Sequence, residues 1–320
     1  MAQILNDLSR FASDVVRGLT SKAKFLPSKY FYDAKGDRLF QMIMTLPEYY
    51  LTRAEYEIFK FQSGKIIRAV ADNEPLQLIE LGAGDGLKTK LLLTELLKQN
   101  VDFSFYPIDI SKNALDTLSS NIEKDFKDVS VHPLEGEYFN ALANEQLHSD
   151  SKKLILFLGS TIGNFAPTEA SEFMGRLSAT MNRGDHLLIG FDLKKHPQTI
   201  LNAYNDKQGI TRDFNLNLLK RINRELGANF EIDQFTHFPI YDPMLGAAKS
   251  FLVSMREQEV YIAAAKQRIF FKAYESIFME ISQKFDLTMI QQFASKNELK
   301  IVQTFTDSRN MFADVMFERL

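Results

Sequence analysis

At 320 residues the chain has room for two domains of roughly 150 residues, or one large one. Hydrophobic residues make up 45% and charged residues 25%, the mix of a soluble globular protein, and the net charge of −3 argues against a nucleic-acid binder, which carries a basic stripe. Cysteine is absent, which excludes disulfides, thiolate metal sites and cysteine nucleophiles. The opening MAQILNDLSRFASDVVRGL is too often interrupted by polar residues for a secretory signal, and the chain has no run of 18 apolar residues. A cytoplasmic protein with no membrane partner is expected. The 27 phenylalanines, with no tryptophan, are first of all packing material.

Residues 1–24 read as an amphipathic helix with Ile4, Leu5, Leu8, Phe11, Val15 and Leu19 on one stripe. A polar-aromatic stretch, Leu26 to Tyr32, leads to a helix over about 36–45 and a break at Leu46-Pro47-Glu48-Tyr49-Tyr50. A helix over about 52–70 follows, with Thr52 as N-cap and Glu55 as its capping-box partner. From there short apolar runs alternate with helical stretches. The runs are 76–81, 103–110, 129–133, 154–158 and 185–191; the helices are expected up to 98, over 114–126 and over 168–181, the last capped by Thr168. Such alternation is the mark of βαβ units and a doubly wound parallel sheet.

The alternation stops after Asp192. Two helices are expected over 195–226, ending at Leu226-Gly227, then antiparallel strands within 250–263 and 269–285. A helix at 289–295 and strands at 301–305 and 312–317 resume the first pattern. The fold class is therefore α/β, a Rossmann-like sheet interrupted by an insertion. One domain is expected to comprise 57–194 plus 283–320, and a second, α+β domain to comprise 1–56 plus 195–282.

The most informative local feature is Glu80-Leu81 followed by GAGDG (82–86), between a strand and a helix. Glycines there permit a tight turn and let a ligand lie against bare backbone. The spacing is G-x-G-x-G, neither the dinucleotide fingerprint nor a P-loop. Glu80 would repel a pyrophosphate but suit an amine or sulfonium, and Asp109, ending the second strand, is placed to accept ribose hydroxyls. Together they read as an S-adenosylmethionine (SAM) site. The alternatives are an ordinary strand-to-helix turn, or a dehydrogenase, which wants a third glycine and room for two phosphates. His132, His148, His186, His196 and His237 show no metal-like or triad-like spacing, so they read as surface or structural residues and no metal is expected.

Seven segments resemble one family, the SAM-dependent L-histidine Nα-methyltransferases of ergothioneine biosynthesis. They are LPSKYFYDAKGDRLF (26–40), LPEYYLTRAE (46–55), LIELGAGDGLKTKLLL (78–93), FLGSTIGNFAP (157–167), AYNDKQGITRDFNLNLL (203–219), NRELGANF (223–230) and MEISQKF (279–285). Several lie outside any generic methyltransferase core. The resemblance implies a monomer that trimethylates the α-amino group of L-histidine to hercynine, using SAM and no general base. Gly82, Lys88, Asp109, Glu137 and Tyr138 then serve the cofactor. Tyr32, Tyr49, Asn164, Tyr204, Glu280 and Ser282 serve the amino acid, with Asn164 and Tyr204 at its amino and carboxylate ends and Glu280 and Ser282 at the imidazole. The chain departs from the family in GAGDG, where Gly-Ser-Gly-Thr is commoner, in Glu137-Tyr138 for Asp-Phe, and near Ser250-Phe251, where histidine-specific members often carry Met. The other readings are an N-methyltransferase for another aromatic amino acid or amine, and a non-catalytic SAM- or amino-acid-binding protein.

Residue chemistry is compatible with these roles. A neutral imidazole has one donor and one acceptor nitrogen. Glu-x-Ser on a strand puts a carboxylate and a hydroxyl on one face, one for each nitrogen. An apolar ring in the same place would strand a buried carboxylate.

Overall fold

The computed structural model describes residues 2–71, 74–147 and 151–320. Packing divides them into two compact units, residues up to Tyr50 with Lys195–Ser282, and Leu51–Lys194 with Gln283–Leu320.

Following the chain, the strands are β1 (Leu76–Leu81), β2 (Phe103–Asp109), β3 (Ser130–Val131), β4 (Leu134–Glu135), β5 (Lys152–Phe157) and β6 (His186–Asp192). Next come β7 (Phe235–Asp242), β8 (Ala247–Ser254), β9 (Gln258–Ile262), β10 (Gln267–Phe271) and β11 (Ser276–Gln283), and finally β12 (Leu299–Thr306) and β13 (Phe312–Arg319).

The Leu51–Lys194 and Gln283–Leu320 unit is built on one sheet in the order β12-β13-β6-β5-β1-β2-β3, with β4 also beside β2. β1 runs parallel to β2 and β5, β5 to β6, and β2 to β3 and β4. β13 is antiparallel to both β6 and β12. All six residues of β1 and all seven of β6 are buried, because helices cover both faces of a parallel sheet. The chain leaves β1 toward β2 and β3, then returns to its other side as β5. The reversal opens a crevice at the carboxyl end of β1, where open α/β sheets bind their ligands. The core includes Ile79, Ile108, Ile155, Phe157, Leu187, Phe191 and Phe317.

The other unit has a three-stranded sheet, β11-β8-β7, and the hairpin β9–β10. Residues 24–26 extend it, since Leu26 donates to Phe278 O at 2.9 Å and Phe278 to Lys24 O at 2.8 Å. Its helices, including Ala34–Thr45, Pro197–Tyr204 and Ile210–Leu226, pack with these strands around Phe31, Phe214, Leu219 and Phe271. Asp33 ties two of them together: it accepts Gly36 N–H at 2.7 Å as a helix cap, and Arg224 and Asn217 at 2.6 and 2.8 Å.

Several sequence expectations need correction. The expected domain boundary after residue 56 falls at Tyr50/Leu51, because the helix Tyr50–Val70 starts two residues before Thr52 and Glu55 bonds within the larger unit. Thr52 is therefore no N-cap, and Glu55 is buried under other partners. Ala166, not Thr168, precedes the helix Pro167–Ala179, and the Glu169 carboxylate accepts Ala166 N–H at 2.9 Å. Strand β7 and the separate bridge β4 were not anticipated. In the first helix, Ala2–Thr20, Phe11, Val15 and Leu19 are buried, but Leu8 is exposed. The side chains of Ile4 and Leu5, and all of His148, lie outside the described residues.

Candidate functional site

The carboxyl end of β1 turns through Gly82, Gly84 and Gly86, all at positive φ (73°, 56° and 67°). A Cβ on Gly86 would lie 2.3 Å from Leu118, so glycine is needed for space as well as conformation. A Cβ on Gly82 would lie 2.9 Å from the Tyr138 hydroxyl, whereas the nearest atom to one on Gly84 is Gly82 O at 4.0 Å. Tyr138 itself is held edge-on by Phe157 and Phe173, with centroids 5.9 and 6.1 Å apart. Burial and the charge of Asp109 push its phenol up to about 12. Asp109 closes β2 and accepts Ser111 N–H at 2.9 Å. Burial raises its carboxyl above the ordinary value, against backbone N–H bonds from Ser111, Ile110 and Gly84.

Gly82, Asp109 and Tyr138, predicted for one ligand, thus come together at the switch point of the sheet. The bare, open backbone at Gly84 and the half-exposed carboxylate of Asp109 suit a nucleoside whose ribose needs acceptors. Glu137 is exposed and precedes the short helix Tyr138–Leu142, so it stands beside Tyr138 without being buried with it.

Two neighbouring side chains already have partners. Glu80 is buried and accepts Thr89 Oγ1 at 2.6 Å, and burial pushes its carboxyl up to about 7. Lys88 pairs with Glu55. Burial alone would lower the Lys88 ammonium; the charge and hydrogen bond of Glu55 outweigh it and raise it. Asn164 ends the 3-10 turn Thr161–Asn164 and is exposed. The left-handed positions of that loop are Gly159 and Ser160, so Asn164 is not there for an unusual backbone.

The remaining predicted residues lie in the smaller unit. Tyr204 closes the helix Pro197–Tyr204, is 9% exposed, and donates to Ser282 Oγ at 2.7 Å. Glu280 and Ser282 are two apart on β11 and therefore share a face. Tyr49 meets Tyr204 edge-on at 6.4 Å. Phe40 lies 6.5 Å from Tyr49 and 5.7 Å from Tyr32, both edge-on, and Phe214 lies 5.8 Å from Tyr32. This aromatic row joins Tyr32 to Tyr204. Phe40 and Phe214 were not singled out from the sequence, although both stand inside the motifs at 26–40 and 203–219.

The four histidines among the described residues have structural surroundings. His132 stacks on Tyr106 at 5.0 Å, and His196 Nδ1 accepts Gln198 N–H at 3.2 Å. Burial lowers His186 and pushes His237 down to about 4.

A doubly wound sheet with a glycine-rich first turn, an acid ending the second strand and a phenol over the glycines has the form of a nucleoside-binding α/β domain. The sequence profile of the family described as "Histidine-specific methyltransferase, SAM-dependent" matches residues 11–319, and the chain belongs to that family. It is 36% identical to histidine N-alpha-methyltransferase of Mycolicibacterium smegmatis over 272 residues, 85% of this chain and 83% of that one. With histidine N-alpha-methyltransferase of Mycobacterium tuberculosis it shares 34% over 299 residues, 93% and 92% of the two chains. With Ergothioneine biosynthesis protein 1 of Schizosaccharomyces pombe it shares 31% over 287 residues, 88% of this chain but 37% of that longer protein. The protein is a SAM-dependent methyltransferase of histidine.

Proposed function

We propose that the enzyme methylates the α-amino group of L-histidine three times, yielding hercynine. The observation that carries this reading is the 2.7 Å bond from Tyr204 to Ser282. It joins two motifs 78 residues apart, one assigned to the amino-acid end of the substrate and the other to its ring. Glu280 on the same strand face supports an imidazole reader: a carboxylate for the ring N–H and a hydroxyl for the other nitrogen.

In this reading Gly82, Lys88, Asp109, Glu137 and Tyr138 hold the cofactor, which supplies an activated methyl group on a sulfonium. Asp109 accepts the ribose hydroxyls, and Gly84 leaves the backbone open. Asn164 and Tyr204 orient the amino acid by its amino and carboxylate groups without adding full charges. The α-amine must be neutral to attack, and a neighbouring sulfonium in a dry site favours that form. No side chain is assigned as general base, and orientation carries the catalysis. The faces of Tyr49 and Tyr32 tolerate the growing, finally quaternary, ammonium through cation–π attraction. The unit containing β7–β11 would thus be the substrate-binding domain.

The test is incubation with SAM and each of the twenty amino acids, read by mass. Histidine alone should gain up to three methyl groups. Equal methylation of tryptophan would replace this reading with that of a broader aromatic N-methyltransferase. Among the described residues no helix is long and apolar enough to cross a membrane. The same proposal takes the enzyme to be cytoplasmic and to act as a monomer on a small molecule.

A further inference from the structure

The larger unit buries a group of charges that the assignments above leave without a role. Glu55, on the helix Tyr50–Val70, is 1% exposed, and Asp314, on β13, is fully buried. One Glu55 oxygen accepts Gly159 N–H at 2.7 Å, at the end of β5, and the other pairs with Lys88. Asp314 lies opposite Gly190 of β6 in the antiparallel pair. A Cβ on Gly190 would lie 2.5 Å from the Glu55 carboxylate, so glycine there makes room for that group over the sheet.

Neither oxygen of Asp314 has a hydrogen-bonding donor among the described residues. For a buried carboxylate that is costly; for a carboxylic acid turned toward a carboxylate, the proton itself is the missing donor. Burial and the charge of Glu55 hold Asp314 well above the carboxylate range, with Lys88 opposing. Two ionised carboxylates with one ammonium would leave a buried net charge of about −1, which one retained proton cancels.

We infer that Glu55 and Asp314 are positioning residues for Lys88: Asp314 keeps its proton, and the neutral cluster so formed holds the ammonium ready for the carboxylate of the cofactor. This rests on the assignment of Lys88 to the cofactor. Losing the Asp314 proton makes the cluster negative. Lys88 is then drawn onto two carboxylates, and an incoming carboxylate is repelled. Cofactor affinity falls as pH rises. The charged groups facing Asp314 are Glu55 and Lys88, and Glu80, from β1, acts on Lys88.

S-adenosylhomocysteine keeps the cofactor's carboxylate and lacks the sulfonium charge, so its binding isolates this effect. Its affinity is measured by calorimetry on the full chain between about pH 6.5 and about 9.5 for wild type, Asp314→Asn, Glu55→Gln and Lys88→Ala. Asp314→Asn imitates the protonated acid. Its affinity should fall less than that of wild type across the range, by about tenfold at the alkaline end, since both titrate the same ligand. Glu55→Gln leaves one acceptor oxygen for two donors and removes the charge that anchors the ammonium, so it should bind more weakly than wild type at about pH 6.5 and lose the decline of wild type toward alkaline pH. If Asp314→Asn follows wild type at each pH while Lys88→Ala binds weakly, the inference is overturned and the Lys88 assignment stands. If Lys88→Ala binds as wild type does, the assignment itself falls. Should Asp314→Asn fail to fold, the infrared spectrum of wild type with carbon-13 aspartate decides: a protonated aspartic carboxyl must persist at about pH 7, and its absence overturns the inference.

Discussion

Tyr204→Phe removes one oxygen from a residue only 9% exposed, and the ring fits the space it leaves. The lost bond is the 2.7 Å contact to Ser282 Oγ, itself 6% exposed. A neutral hydrogen bond contributes about 0.5–1.5 kcal/mol net. The variant should therefore unfold about 1 kcal/mol more easily, while its SAM affinity stays at the wild-type value, because the residues assigned to the cofactor belong to the other unit. If the hydroxyl also orients the amino acid, about 1.4 kcal/mol of lost substrate binding raises the histidine KM about tenfold. The informative assay is a double-mutant cycle with Ser282→Ala, read in histidine kcat/KM and in SAM affinity by calorimetry. The two residues should show a coupling of at least about 0.5 kcal/mol. Additive effects on kcat/KM, or a fall in SAM affinity with Tyr204→Phe alone, would refute the argument that this pair forms one substrate-reading unit.

Asp109→Ala should weaken SAM binding about 10- to 150-fold, the equivalent of about 1.5–3 kcal/mol for hydrogen bonds to a charged acceptor, and unchanged calorimetric affinity in the folded variant removes Asp109 from the site. Gly82→Ala places an L-residue at φ +73° and a methyl 2.9 Å from the Tyr138 hydroxyl; it should cost about 1–2 kcal/mol of stability, part of which Tyr138→Phe restores in the double variant by thermal unfolding. Glu280→Ala should lower histidine turnover and narrow a wild-type preference over tryptophan of at least about 10²-fold, because the half-buried carboxylate, which an indole covers without pairing both groups, is then gone; competition kinetics measure the ratio. His237 is held at about 4 by burial, so between about pH 6.5 and about 4 the unfolded chain takes a proton that the folded one refuses, and stability should fall as pH drops through that window. His237→Gln should flatten that slope in urea titrations at stepped pH.

What is local and periodic was legible from the amino-acid order. Short apolar runs separated by helical stretches marked the doubly wound sheet, since a strand covered on both faces must be apolar throughout. GAGDG marked a turn needing positive φ, and Asp109 followed from its place at the end of the next run. The motifs at 203–219 and 279–285 pointed to Tyr204 and Ser282 because each motif is intact in itself. Tertiary structure alone decided which charges meet. Glu55 read as half of a capping box, a contact three residues long, but the helix began two residues earlier and turned its carboxylate to Gly159 and Lys88, 104 and 33 residues away. Asp314 sat in an apolar run that announced a strand and nothing more. Its significance comes from lying opposite Gly190, where the missing side chain admits a carboxylate from a distant helix. The same holds for Phe40 and Phe214, ordinary packing residues in sequence, which complete the aromatic row from Tyr32 to Tyr204 only when two helices come together. Propensity and periodicity act over a few residues, whereas ion pairing and ring stacking depend on distances that only the folded chain sets.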